Sequence, residues 1–365
     1  MSLWEKMLAD LRAFFIQLKR ERGNQFMKRM YGLIVLLAGF LIFAFFYGGS
    51  SSEKTDASTK SKTIKTYKVG ILQLMTQPAL DQIHKGIVAG LKAEGFKVGT
   101  NLKIDYQNAQ GDQSNLQTMS SKFANENDDL TVGIATPAAQ ALAKAANGKT
   151  PVILAGITDP VGGGLIKSNA VPGGNITGTS GEPPLKSQLN LIKKILPKAK
   201  TLGIIYTTSD HGGTYNAKKM QKIAAAAGYT VKMYTISSTN DMQTVAEKMA
   251  SEVQVVYAPQ DNDVASAMKT LVSVTNKAKV PVFPAVDTMV KDGRVATLSV
   301  NQFNLGKTSG VIAGKVLKGK KTSTYPLIFI TKGEMTVNTT EAKLLGIKLP
   351  ASVLHEAKTK GEIFK

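Results

Sequence analysis

The chain has no cysteine and only three histidines among its 365 residues. Without cysteine there is no disulfide frame, so any exported part must be held together by its apolar core. His84, His211 and His355 stand far apart, none spaced with another His or a Glu as metal ligands are. Neither a G-x-S-x-G elbow nor a G-x-x-x-x-G-K-[ST] loop occurs. Gly162-Gly163-Gly164 follows TDPV rather than opening a helix after a strand. Catalytic, metal and cofactor readings are therefore left without support. Arginine is scarce as well, with Arg294 alone following residue 47, although 39 Lys and Arg against 23 Asp and Glu there give a balance of +16. Recognition of phosphates and bases favours the arginine fork, and these lysines are scattered, which argues against nucleic acid. A lysine-rich exterior suits solubility beside a polyanionic envelope.

What the chain does have is an unbroken apolar run, YGLIVLLAGFLIFAFFY, over residues 31–47. Its length is at the short end of what spans a bilayer. Seven Lys and Arg precede it, which keeps residues 1–30 cytoplasmic and everything beyond the run outside. A cleaved signal is the competing reading, but Phe45–Gly49 offers a poor cleavage site. The start is open between Met1 and Met27: a basic n-region before an apolar run resembles an export signal, while residues 3–18 alternatively make an amphipathic helix on the inner membrane face. Residues 48–64, rich in Ser, Thr and Lys, read as a linker.

From residue 65 onward, strand-length β-branched runs alternate with segments of helical periodicity, beginning with Thr66–Leu74 and Pro78–Glu94. The alternation predicts parallel sheets with helices on both faces. It restarts near residue 187, so two α/β units stand in series. The Gly- and Pro-rich stretch 172–184 between them reads as a crossover or hinge. A strand–helix–strand tail, Val295–Val300, Asn304–Leu317 and Tyr325–Thr331, predicts that the chain crosses back to the first unit and returns. The expected division is 65–178 plus 295–322 for lobe 1 and 179–294 plus 323–365 for lobe 2, joined by a hinge able to close on a ligand.

The motifs VGILQLMTQPALD (69–81), ATPAAQAL (135–142), ITDPVGGGL (157–165), GGNITGTS (173–180), VYAPQDNDVASAM (256–268) and FPAVDTMVKDG (283–293), with the VLKG-ended tail helix, carry a resemblance. Over about residues 66–350 the chain resembles the tryptophan/tyrosine-type substrate-binding proteins of ABC transporters, which have the type I periplasmic binding protein fold. The resemblance implies an extracytoplasmic receptor that delivers a small solute, often an aromatic amino acid, to a membrane permease. Many members carry a lipobox cysteine, absent here, and Ser180-Gly181-Glu182 stands where Ser-Asp is common. A ligand-sensing receptor of the same fold, acting in signalling, is the alternative.

In open α/β sheets ligands sit at the carboxyl ends of strands. Thr136-Pro137 and Thr76-Gln77-Pro78 read as helix starts with free N–H groups suited to a carboxylate, or as ordinary caps. Asp159, Asp261 and Asp287 follow strands. Asp287 is the first choice for an α-ammonium and Asp261, beside Asn262, the second, against readings of turn and cap residues. Gln73, Ser180 and Gln302 are candidate hydrogen-bonding groups. Tyr206, with Phe283, Met75 and Leu74, could wall an apolar slot or belong to the core.

Overall fold

Tyr67–Gln73 combines apolar, aromatic and β-branched residues and is soon followed by Pro78, which can open a helix. The computed structural model describes residues 65–365 apart from Asp292, and there this run forms β1 (Tyr67–Gln73). Then follow α1 (Pro78–Ala93), β2 (Leu102–Asn108), α2 (Gln113–Asn125), β3 (Leu130–Ile134), α3 (Thr136–Ala146), β4 (Val152–Ile157) and β5 (Ile176–Ser180). The second series runs α4 (Leu185–Ile195), β6 (Thr201–Thr207), α5 (His211–Ala226), β7 (Thr230–Ile236), α6 (Met242–Glu252), β8 (Val255–Ala258), α7 (Asn262–Ser266), α8 (Met268–Lys277) and β9 (Val282–Pro284). Last come β10 (Ala296–Ser299), α9 (Gln302–Leu317), β11 (Ile328–Phe329), β12 (Glu334–Asn338), α10 (Thr339–Leu344), α11 (Ala351–Lys360) and β13 (Gly361–Phe364).

The expected parallel sheets are present. The first has the order β11-β5-β4-β3-β1-β2 and is parallel throughout. The second, β7-β6-β8-β9, is parallel as well. A small sheet, β10-β12-β13, pairs antiparallel at β10–β12 and shares the second core through Ala296, Met335 and Val337. β3, β4 and β5 are buried at every residue, as strands covered on both faces must be. Two separate apolar cores form, one around the first sheet and one around the second.

The lobes divide the chain differently from the sequence reading. Within the stretch taken as a hinge, Ile176–Ser180 is a fully buried strand of the first sheet. Glycine and proline counts hid the β-branched pattern of Ile176, Thr177 and Thr179. Gly178 has φ +148, and a Cβ there would overlap the Leu154 backbone, so its glycine serves the irregular pairing with β4. β10 pairs with β12 in the second lobe rather than the first. The strand expected at Tyr325–Thr331 shortens to β11 and extends the first sheet beside β5, with the Thr177 hydroxyl donating to the Tyr325 carbonyl. The chain thus passes between lobes after Ser180, after Ser299 and after Phe329. Among the described residues no helix is long and apolar enough to cross a membrane. The run at 31–47 lies outside them.

One contact fixes the returning helix to the first lobe. Gly86 and Gly90 on α1 face Gly306 and Gly310 on α9, and a Cβ on any of the four would overlap backbone of the opposite helix. This is small-xxx-small spacing, which brings two helices together at backbone distance. Replacing Gly90 by Val should force them apart and lower unfolding stability by about 2–4 kcal/mol. Urea denaturation with an unchanged midpoint would show that the two helices can separate without cost.

Candidate functional site

Residues that follow β1 and β4 meet residues that follow β6 and β8 across the boundary between the lobes. Along part of this boundary the lobes touch. Gln77 caps α1 through its Oε1, which accepts from Ala79 N–H, and its Nε2 donates to Asn262 Oδ1 at 3.1 Å in the opposite lobe. The Asn262 side-chain amide donates in turn to Asp210 Oδ2 at 2.7 Å. Ser266 Oγ lies 3.3 Å from Met75 Sδ. His211 Nε2 lies 3.3 Å from Asp159 Oδ2. Beside that pair, a Cβ on Gly212 would come within 3.0 Å of Thr158 Oγ1, so glycine permits the close approach of α5.

Asp261 is held by its own lobe. It is buried, and its carboxylate accepts from Thr207 N–H and Oγ1 and from the N–H groups of Asp263 and Val264. Those bonds fill the lone pairs of a carboxylate. Burial, then the neighbouring Asp210 carboxylate, pushes its pKa up, while the Thr207 and Val264 donors pull it back. The cap reading of Asp261 therefore prevails over ligand contact. Asp210 is its partner cap: Oδ1 accepts from Gly213 N–H, and Oδ2 from the backbone and side chain of Asn262.

Other expected residues have internal partners too. Gln73 Nε2 donates to Asp81 and to the Met75 carbonyl, holding the loop after β1, while its buried Oε1, like that of Gln302, has no partner among the described residues. Thr76 is exposed and accepts from Asn108. Ser180 accepts from Glu182 N–H at 3.2 Å and shapes the first crossing. Tyr206, Phe283 and Leu74 are buried core residues. Thr136 is buried but is not the cap of α3: Ala135 occupies that position at φ +74, and no side chain caps the helix. A non-glycine residue in that region carries strain of about 1–3 kcal/mol.

Asp287 and Gln302 come together in an open cleft of about 580 Å³ that both lobes line. The first lobe supplies Pro78, Gln82 and Phe303, and the second supplies Thr288, Lys291 and Phe364. Asp287 is half-buried; burial pushes its pKa up to about 6, the Thr288 N–H pulls against this, and the Glu334 carboxylate adds to it. Gln302 donates through Nε2 to the Val300 carbonyl at 2.8 Å, and its buried Oε1 has no partner among the described residues. The cleft thus holds two carboxylates, Asp287 and Glu362, the second of which also raises the pKa of the first, together with a lysine and two phenylalanines.

The sequence reading did not single out Asp210, His211 or Phe364. Asp-His-Gly-Gly after a strand has the Asp-to-Gly spacing of an N-cap, and Asp210 is the N-cap of α5 with His211 as its first residue. Phe364 lies on a strand, β13, in a stretch given no regular structure, and its pattern G-E-I-F is too short to stand out.

The profile described as "ABC transporter substrate binding protein" matches residues 68–360. A tyrosine-binding protein of Clostridioides difficile (strain R20291) is 34% identical over 319 residues, covering 87% of this chain and 92% of that protein. The structure of an ABC domain in complex with L-Trp from Streptococcus pneumonia is 39% identical with TM-score 0.79, covering 82% of this chain and 100% of that one. A ligand-free, open structure of a substrate-binding protein with adhesive properties from Clostridium difficile is 34% identical, covers 82% of this chain and 99% of that one, and gives a TM-score of 0.66. With a matching profile over most of its length and a relative aligned along nearly all of its own, the chain belongs to the ABC transporter substrate-binding protein family.

Proposed function

We propose that this chain is the extracytoplasmic receptor of an ABC importer, held at the membrane by the apolar run 31–47. It closes its lobes on an aromatic amino acid and passes it to a permease. The observation that carries the ligand class is the cleft between the lobes. Asp287 is an acceptor for an α-ammonium, Lys291 and Thr288 on the same rim suit an α-carboxylate, and Phe303, Phe364 and Pro78 offer apolar surface to a ring. A relative named for tyrosine and a neighbour holding L-Trp support the same class.

The electrostatics favour binding over stability. A carboxylate whose folded pKa lies above its unfolded value costs stability wherever it is ionised, here above about pH 6, and the cost fades as pH falls toward 4. An ammonium placed against Asp287 relieves that cost. Nothing in the fold requires the charge, since Asp287 makes only local bonds to Thr288 N–H and, through its own N–H, to Ser299 Oγ.

A thermal-shift screen of the twenty amino acids against residues 62–365 should show stabilisation by tyrosine or tryptophan, rising with concentration as the folded state alone binds. No shift with any amino acid would end the amino-acid reading. Asp287→Asn should weaken that ligand at least about 30-fold, in the range of a lost charge-assisted bond, while raising ligand-free stability at pH 7.5 by about 1–2 kcal/mol. Both are readable by calorimetry and urea denaturation, and unchanged affinity would remove Asp287 from the site. The ammonium needs the ionised carboxylate, so affinity should hold above pH 7 and drop as pH falls through 6. A pH-independent affinity between 5 and 8 would place the ammonium elsewhere.

A further inference from the structure

From residue 183 to residue 240 the chain has nine lysines and a single acidic residue, Asp210, which is buried. These lysines fall mainly on α4, on α5 and on the loop that follows α4. On α4, Leu185, Leu189, Ile192 and Ile195 point into the core, leaving Lys186, Lys193 and Lys194 exposed. On α5, Ala217, Met220 and Ala224 point inward and leave Lys218 and Lys222 exposed. Lys198 and Lys200 are exposed on the loop after α4. The two helices share one surface: Lys193 Nζ on α4 donates to the Ala227 carbonyl at the end of α5 at 3.2 Å. Lys219 pairs with Glu182 and Lys232 with Glu252. Among the described residues, Lys186, Lys194, Lys198, Lys200, Lys218 and Lys222 take part in no ion pair.

We propose that this α4–α5 face docks the second lobe on anionic lipid headgroups. Apart from Glu182, which Lys219 pairs, the charges of this face are ammonium groups on flexible stems, which suit a diffuse sheet of phosphodiesters better than bidentate recognition of a single phosphate. It offers no stacking platform for nucleic-acid bases: Tyr206, Tyr229 and Tyr234 are buried, and Tyr215 is half-buried beneath Lys219. A lipid partner follows from the anchored reading above. Residues 48–64 between the apolar run and the domain reach at most about 60 Å at roughly 3.5 Å per residue. A lysine near an anionic surface strengthens partition about fivefold, and neighbouring lysines multiply the effect. Docking on this face would set how the cleft is turned relative to the membrane in which a permease sits.

The test uses residues 62–365, which lack the apolar run and contain a compact unit with its own two cores. A failure therefore counts against the face and not against the anchor or the ligand. The probes are vesicles of phosphatidylcholine alone and with about 30% phosphatidylglycerol, at low and high salt. Sedimentation should show binding to the anionic vesicles, lost at high salt, and none to phosphatidylcholine. Lys186→Glu, Lys194→Glu, Lys218→Glu and Lys222→Glu combined should cut partition at least about 100-fold, with circular dichroism and thermal midpoint retained. The same number of reversals at Lys315, Lys318, Lys320 and Lys321, at the end of α9, should change it less than about fivefold. Equal losses from both sets would mean that net charge, not this face, binds. Binding to soluble polyphosphate without binding to anionic vesicles would overturn the lipid partner.

Discussion

The backbone contact between α1 and α9 is the constraint on which the two-lobed arrangement depends. α9 enters the first lobe only after the chain has built most of the second, so its place cannot be set by local sequence. Four glycines let it lie against α1 without intervening side chains, and Ile312 and Ala313 fill the core below. Because α9 begins directly after the crossing at Val300 and Asn301, fixing the helix fixes that crossing. It also fixes Gln302 and Phe303 at the rim of the cleft. A packing feature thus positions a binding surface.

Two parts of the boundary between the lobes differ in how their polar groups are bonded. On the touching side, Asp261 accepts from Thr207 and the start of α7, Asp210 accepts from the start of α5 and from Asn262, and Asn262 accepts from Gln77. In the cleft, the Asp287 carboxylate and the Gln302 oxygen are left short of donors. Buried polar groups without partners are costly, so a fold tolerates them where an outside molecule completes them.

Much of this was legible in the sequence, for physical reasons. Parallel strands covered on both faces leave continuous apolar runs, so β1, β3, β4 and β6 could be read directly. The family motifs fell at strand ends, which is where the structure places Asp287 and Gln302 together along one cleft. What could not be read was long-range. The pairing of Ala296–Ser299 with Glu334–Asn338 and of Ile328–Phe329 with β5 depends on partners far away in the chain, and short strands carry little pattern of their own. Asp261 and Asp287 look alike as aspartates after a strand, and only the count of N–H donors around each separates a cap from an open acceptor. Gly178 misled because composition suggests a loop, whereas the residue permits a buried strand to bend past its neighbour.

The saturated carboxylate of Asp261 has a consequence for the way the lobes part. It ties the end of β6 to the start of α7, and Asp210 ties the start of α5 to the same point. A rim braced in this way has no local flap to open. Opening on this side therefore requires the lobes to part as units about their three crossings rather than a single loop to move.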